Sequence, residues 1–197
     1  MPTLKQLLNS TLFELTPGKS DPATYERLFQ RVEDPWNFRR SPYERGRLER
    51  LFAAARKAAP RSVLEVGCAE GAFTERLLEI ADEVVGIDVS ETALSRARAR
   101  NPRGDFRRAR FEDFETDRMF DLAVCAETLY LFEDVPAALS RLNRLARHVL
   151  VSYTRYKRDR VEPHLEGIEF LHDEVFTCWE IIMKRSARIV LWKSPDV

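Results

Sequence analysis

The stretch Val63-Leu-Glu-Val-Gly-Cys-Ala-Glu-Gly-Ala-Phe-Thr-Glu-Arg-Leu77 decides the fold. Val63, Leu64 and Val66 form a short apolar run, which reads as a strand buried on both faces of a parallel sheet. Gly67 and Gly71 break the run, and from Phe73 to Leu78 the apolar spacing becomes helical. A strand that passes through a glycine turn into a helix gathers bare backbone and unpaired N–H groups at one point. Open α/β sheets hold nucleotides at such points. The next run, Glu83-Val-Val-Gly-Ile-Asp88, reads as a second strand, and its terminal acid is placed to accept both hydroxyls of a ribose.

The spacing then discriminates between nucleotides. A dinucleotide fingerprint needs G-x-G-x-x-G, so that a pyrophosphate can rest on backbone. Here the pattern is Glu65-x-Gly67-x-x-x-Gly71, with Glu70 inside the turn. Two carboxylates beside a pyrophosphate would repel it by roughly 1 to 4 kcal/mol each in a partly screened site. A ligand that carries an adenosine and a cationic sulfonium or ammonium, without phosphate, meets no such objection.

Glu65, Gly67, Gly71 and the strand-end Asp88 resemble the class I S-adenosylmethionine methyltransferases. Asp34-Pro35-Trp36, Ser41-x-Tyr43-Glu44 and Ala126-Glu127-Thr-Leu-Tyr130 narrow the resemblance to the NodS-like nodulation N-methyltransferases, over roughly Tyr25 to Val151. That resemblance implies a Rossmann-like α/β fold: a mostly parallel seven-stranded sheet, helices on both faces and an antiparallel closing strand. It implies S-adenosylmethionine as cofactor, S-adenosylhomocysteine as product, no metal, and methylation of an amino-sugar nitrogen. Cofactor contacts are expected from Trp36, Tyr43, Arg47, Glu65, Gly67, Cys68, Gly71, Asp88, Val89, Phe111, Glu112 and Ala126. Arg110 stands where the family commonly has an acid, so Glu112 or Asp113 would bond the adenine amino group, with Phe111 and Val89 flanking the ring. Glu127, Tyr130 and His164 are the catalytic candidates, with His172 as a further one; a hydroxyl acceptor would need a base among them, and an amine would not.

Composition narrows the partners. The 197 residues suit one domain with a full core, residues 1–40 forming a helical arm or lid on a cofactor-binding body of 41–197. Lys+Arg and Asp+Glu are both 32, so bulk charge argues against nucleic acid or an anionic membrane. No aromatic stacking platform interleaves the arginines between Arg96 and Arg110, which read as a solvated face rather than an RNA stripe. Cys68, Cys125 and Cys178 are widely spaced and read as free thiols, consistent with a cytoplasmic protein. A small molecule or oligosaccharide is the expected partner, and a monomer and a homodimer both remain open. O-methylation of a natural product, RNA methylation and NAD-dependent oxidation are the competing activities.

The rest of the chain is read more coarsely. Leu4, Leu7, Leu8 and Leu12 have helical spacing; Asp21-Pro22 and Ser41-Pro42-Tyr43-Glu44 open two further helices, the second running to about Ala59. In that second helix Tyr43 and Arg47 share a face, and Arg47 is expected to hold the cofactor's methionyl carboxylate. Asp34 to Phe38 reads as a turn with two exposed aromatics. Phe120 to Ala126 reads as a central strand. Tyr153 to Gly167 is polar and basic and reads as a flexible substrate loop. Ile168 to Thr177 and Trp179 to Trp192 suit two closing strands, with a helix over Glu174 to Lys184 as the alternative.

Overall fold

The computed structural model describes residues 21–180 and 183–195. The Leu4-to-Leu12 spacing lies outside the described residues. The chain opens with helix α1 (Pro22–Arg31), whose Asp21 cap accepts from Ala23 N, and helix α2 (Pro42–Lys57), whose Ser41 hydroxyl accepts from Glu44 N. Both have proline in the first turn, where a missing N–H costs nothing. Helix α2 buries Leu51, Ala54 and Ala55, and truncating a buried leucine of this kind costs about 2 to 5 kcal/mol.

Alternation of strand, turn and helix follows. Strand β1 (Ser62–Val66) leads through the glycine turn to the short helix α3 (Thr74–Leu77). Strand β2 (Glu83–Asp88) is followed by α4 (Glu91–Arg100), capped by Ser90, and then by β3 (Asp105–Arg108). Strand β4 (Phe120–Ala126) leads to helix α5 (Val135–Leu145), capped by Asp134. Strand β5 (Ala146–Thr154) begins at the residue after α5 ends, so no loop separates them. After the one-turn helix α6 (Arg158–Val161), β6 (Phe170–Glu180) and β7 (Met183–Lys193) form an antiparallel hairpin.

The seven strands lie in the order β3-β2-β1-β4-β5-β7-β6. Pairs among β1 to β5 are parallel, and β7 runs antiparallel to both β5 and β6. This is the Rossmann-like, class I methyltransferase arrangement. Alternate strand residues serve opposite faces of the sheet. Leu64, Val66, Ala123, Cys125, Val149 and Val151 pack with α5, whereas Val63, Leu122, Val124 and Leu150 pack with Leu51, Ala54 and Ala55 of α2. Helices therefore cover both faces. Asp121 ties the entrances of two central strands together: its Oδ2 accepts from Arg61 N, Ser62 N and Ser62 Oγ.

Two segments differ from the sequence reading. Tyr153 to Gly167 is not an open loop; it folds into short helical turns, with Val161 and Leu165 buried in the α5-side core. Apolar residues four apart in a polar segment were enough to seat it. The helix alternative for Glu174 to Lys184 also fails. The described residues there are strand, with Phe176 packed against Tyr43 of α2, so tertiary contact decided an ambiguous period. The arginine-rich region is largely paired on the surface, through Arg96–Glu70, Arg98–Glu91, Arg107–Asp105 and Arg110–Glu112.

Candidate active site

A cleft of about 220 Å³ opens at the C-terminal ends of β1, β2 and β4, where open α/β sheets bind ligands. Its first wall is mostly backbone. Gly67 N and Cys68 N both donate to Ile87 O (2.8 and 3.1 Å), which folds the turn over the end of β2. Gly67 has φ +75°, and a Cβ there would run into the Thr128 side chain, so the tight turn requires glycine. Asp88 is held by two backbone donors: Ala69 N to Oδ2 (2.9 Å) and Ser90 N to Oδ1 (2.9 Å). Burial raises its carboxyl pKa, and these bonds work against that. Each oxygen keeps a further lone pair for a ligand hydroxyl. Val89, Phe111 and Glu112 line the same end of the cleft. Phe111 also packs on Phe132, with ring centroids 5.4 Å apart, so it belongs to the core and to the cleft at once. Glu112 pairs with Arg110 at 3.5 Å, and both line the cleft; Asp113 does not.

The opposite wall is aromatic. Tyr25 and Phe29 come from α1, and Trp36 and Phe38 from the turn after it. Trp36 meets Phe29 edge-on at 5.3 Å, so these aromatics are half-buried lining rather than the exposed pair expected from sequence. Glu70 seats this wall, accepting from Asp34 N (3.0 Å) and from Arg96 Nη1 (2.6 Å). Glu26 of α1 accepts from Ser90 Oγ (2.7 Å) and Thr92 Oγ1 (2.5 Å), and these bonds lower its pKa to about 2.

The floor is made of charged side chains. Glu127, at the end of β4, is a non-glycine residue with φ +57°, a conformation that concentrates at functional positions. Its carboxylate accepts from Thr154 N (3.0 Å), Ser152 Oγ (3.2 Å) and Tyr130 Oη (3.3 Å). Burial pushes its pKa up, while the Arg47 charge pulls it down. Arg47 is 3% exposed and donates through Nη2 and Nε to Glu44 Oε2 (2.7 and 3.0 Å). Tyr43 is stacked on Phe176 and lies under the guanidinium of Arg185, 3.9 Å from its ring centroid.

Of the residues expected from sequence, Trp36, Tyr43, Arg47, Gly67, Asp88, Val89, Phe111, Glu112, Ala126, Glu127 and Tyr130 meet in this cleft. Glu65, Cys68 and Gly71 do not line it. Glu65 lies beneath the turn and accepts from Thr74 Oγ1 (2.5 Å), fastening β1 to α3; burial raises its pKa to about 8. Cys68 packs with Leu94, Ala97 and Phe106, and burial raises its thiol pKa. Gly71, with φ +73°, takes Asn101 Nδ2 on its carbonyl (2.9 Å). His164 borders a separate depression with Glu133, Asp134 and Arg160, away from Glu127. His172 is on β6 beside Lys57 (2.9 Å), outside the cleft lining. The repulsion expected from Glu65 and Glu70 toward a pyrophosphate is also weakened, since Glu70 is paired with Arg96 and burial, by raising the Glu65 pKa to about 8, favours its neutral form. Sequence reading missed Tyr25, Phe38, Glu44, Lys157 and Arg185. Glu44 carried a signal as the acid of a capping box; Lys157 and Arg185 lie in segments with no recognisable pattern.

The family model described as Nodulation protein S (NodS) matches residues 23–155. The chain belongs to the NodS family. It is 38% identical over 125 residues to Nodulation protein S of Sinorhizobium fredii, a match covering 61% of this chain and 56% of that protein. The Nodulation protein S of Bradyrhizobium diazoefficiens is 36% identical over 108 residues, covering 53% and 52%. The chain thus spans about half the length of these NodS relatives. Its fold is shared with the crystal structure of N-methyltransferase NodS from Bradyrhizobium japonicum WM9 in complex with S-adenosyl-L-homocysteine, at TM-score 0.74 and 23% identity, covering 86% of this chain and 98% of that one. Among the described residues, no helix is long and apolar enough to cross a membrane.

Proposed function

We propose that this NodS-family chain is an S-adenosylmethionine-dependent methyltransferase acting on a small-molecule or saccharide acceptor, at an amino-sugar nitrogen. The observation that carries the reading is the cleft itself. A backbone-held Asp88 and the Phe111 face at one end suit an adenosine, and the half-buried carboxylate of Glu127 lies at the other. Family membership and the S-adenosylhomocysteine in the related crystal structure point the same way.

In this reading Asp88 accepts the ribose hydroxyls, Val89 and Phe111 flank the adenine, and Glu112 receives its amino group. Trp36, Tyr43 and Arg47 border the methionyl end, and Ala126 the methyl group. The bound cofactor supplies an activated methyl group on a sulfonium. The acceptor lone pair forms the new bond to that carbon as the carbon–sulfur bond breaks and its electrons return to sulfur. The protein's part is to align the acceptor and exclude water. Glu127 and Tyr130 orient the acceptor nitrogen, which needs no strong base once neutral. Residues 21–40 act as the lid on a body starting near residue 41, because the aromatic wall adds no strand to the sheet.

Calorimetry with S-adenosylhomocysteine and with NAD tests the reading. Binding of the first alone is expected, and comparable NAD affinity would overturn it. An O-methyltransferase is the second reading, favoured by the hydrogen-bonded Glu127–Tyr130 pair, since a hydroxyl acceptor needs such a base.

A further inference from the structure

Two arginines and three glutamates, linked in part through Ser152, run in series along the cleft floor. Arg185, on β7, donates through Nη1 to Glu180 Oε2 (3.0 Å) and through Nη2 to Glu44 Oε1 (3.0 Å). The other oxygen of Glu44 takes Nη2 and Nε of Arg47 (2.7 and 3.0 Å). Arg47 Nη1 approaches Ser152 Oγ (3.4 Å), and the Ser152 hydroxyl donates onward to Glu127 Oε1 (3.2 Å). Glu180, Arg185, Glu44 and Arg47 are all buried. Replacing such a buried series with apolar side chains is often neutral or stabilising, so stability alone does not account for it. One end of the series is the Glu127 carboxylate, on a left-handed backbone at the floor of the cleft. The other end lies on the hairpin, beyond the residues matched by the family model.

We propose that Arg185 and Glu44 are positioning residues, which hold Arg47 across Ser152 from the Glu127 carboxylate and so fix the end of the cleft where the acceptor would sit. The inference rests on the methyl-transfer reading only for what occupies the cleft beside Glu127. The charges around Glu127 explain the arrangement. The titratable groups lining the cleft with it are Tyr43, Glu44 and Arg47 from α2, Tyr130 from the turn after β4, Lys157, which lies over the Tyr130 ring, from the turn after β5, and Arg185 from β7. Cys125 lies beneath it on β4 and Asp88 lines the cleft with it. Burial and Glu44 favour the protonated form of Glu127, and Arg47 favours the anion. Arg185 therefore has two effects on Glu127. It satisfies the free oxygen of Glu44, which offsets that repulsion, and it anchors Glu44 so that Arg47 stays in register. The planar fork of Arg185 reaches Glu180 and Glu44 through two separate nitrogens in a fixed geometry, whereas a lysine offers one nitrogen for both.

The test is direct titration of Glu127 by NMR in protein carrying carbon-13-labelled glutamate, with the resonance assigned from Glu127→Gln. Arg185→Lys keeps the charge and loses the fork, so a shift there reports geometry rather than a missing charge. We expect the Glu127 midpoint to rise by about one unit in Arg185→Lys, and by more in Arg185→Gln, the second variant. An unchanged or lowered midpoint in a folded variant, with wild-type circular dichroism, overturns the proposal. The titration requires no turnover, so it fails separately from the methyl-transfer reading, which wild-type calorimetry with S-adenosylhomocysteine decides.

Discussion

The two halves of the cleft are built from different materials. At the Asp88 end the parts are backbone groups close in sequence: Ala69 N, Ser90 N and the carbonyl of Ile87, gathered by one strand–turn–helix unit and the strand beside it. At the Glu127 end the parts are side chains from α2, β4, β5 and β7, and the bond from Arg185 to Glu44 joins residues 141 apart. A backbone-built site tolerates change in its surroundings, because hydrogen bonds of the sheet already hold it. A side-chain network is satisfied only when every member is present, and loses much of its value when one is removed. On the proposed methyl-transfer reading, the first half would hold the cofactor and the second would set the choice of acceptor.

Removing the key group from each half sharpens the contrast. Asp88→Ala deletes a carboxylate expected to receive two ligand hydrogen bonds, worth about 3 to 6 kcal/mol together. Affinity for S-adenosylhomocysteine should drop roughly a hundredfold or more by calorimetry, while stability falls by a smaller amount, about 1 to 3 kcal/mol, as Ala69 N and Ser90 N lose their acceptor. Arg47→Met should do the opposite. It leaves the buried Glu44 and the half-buried Glu127 without that cation, at a cost of about 3 to 5 kcal/mol in urea unfolding, with a smaller effect on cofactor affinity. Equal stability losses in the two variants would break the comparison.

Glu127→Gln distinguishes the acceptor chemistry. With an amine acceptor, turnover should fall by about tenfold or less and rise with pH as the amine loses its proton. A loss on the order of a hundredfold to ten-thousandfold at every pH would assign Glu127 as a base for a hydroxyl.

Glu65 predicts a pH effect confined to the backbone-built half. Its folded pKa is raised to about 8, above its ordinary value of 4.5, so the folded state binds this proton more tightly. Its contribution is full below about pH 4.5 and is lost as pH rises through about 8. The thermal midpoint of the wild type should fall across that window, and Glu65→Gln should flatten the slope without abolishing cofactor binding. A slope unchanged by the substitution would remove Glu65 as its source.

The smallest effect is expected at the lid. Hydrogen exchange of residues 21–47 should slow when S-adenosylhomocysteine is added, and Glu26→Ala, which frees α1 from the start of α4, should speed exchange of α1 by a few-fold. Equal exchange with and without ligand would leave these residues a static cap.

The sequence by itself determined the sheet's organising unit, the family and the Asp88 half of the site. Each depends on neighbours along the chain: Val63 to Val66 then Gly67, Asp88 at a strand end, Ser41-Pro42 at a helix start. Local spacing encodes local geometry, so such features can be read before folding. Tertiary structure alone decided which acids line the cleft. Glu65 and Glu70 stand in the motif yet are engaged by Thr74 and Arg96, whereas Glu44 entered the cleft because α2 crosses the sheet where β7 presents Arg185. It also decided that Lys157 and Arg185, from a polar segment and an ambiguous strand, line the floor, and that His164 does not. The physical reason is that a side chain's partners across a sheet depend on strand order and register, here β5 beside β7 with Ser152 opposite Ile189, and no spacing within the chain specifies them.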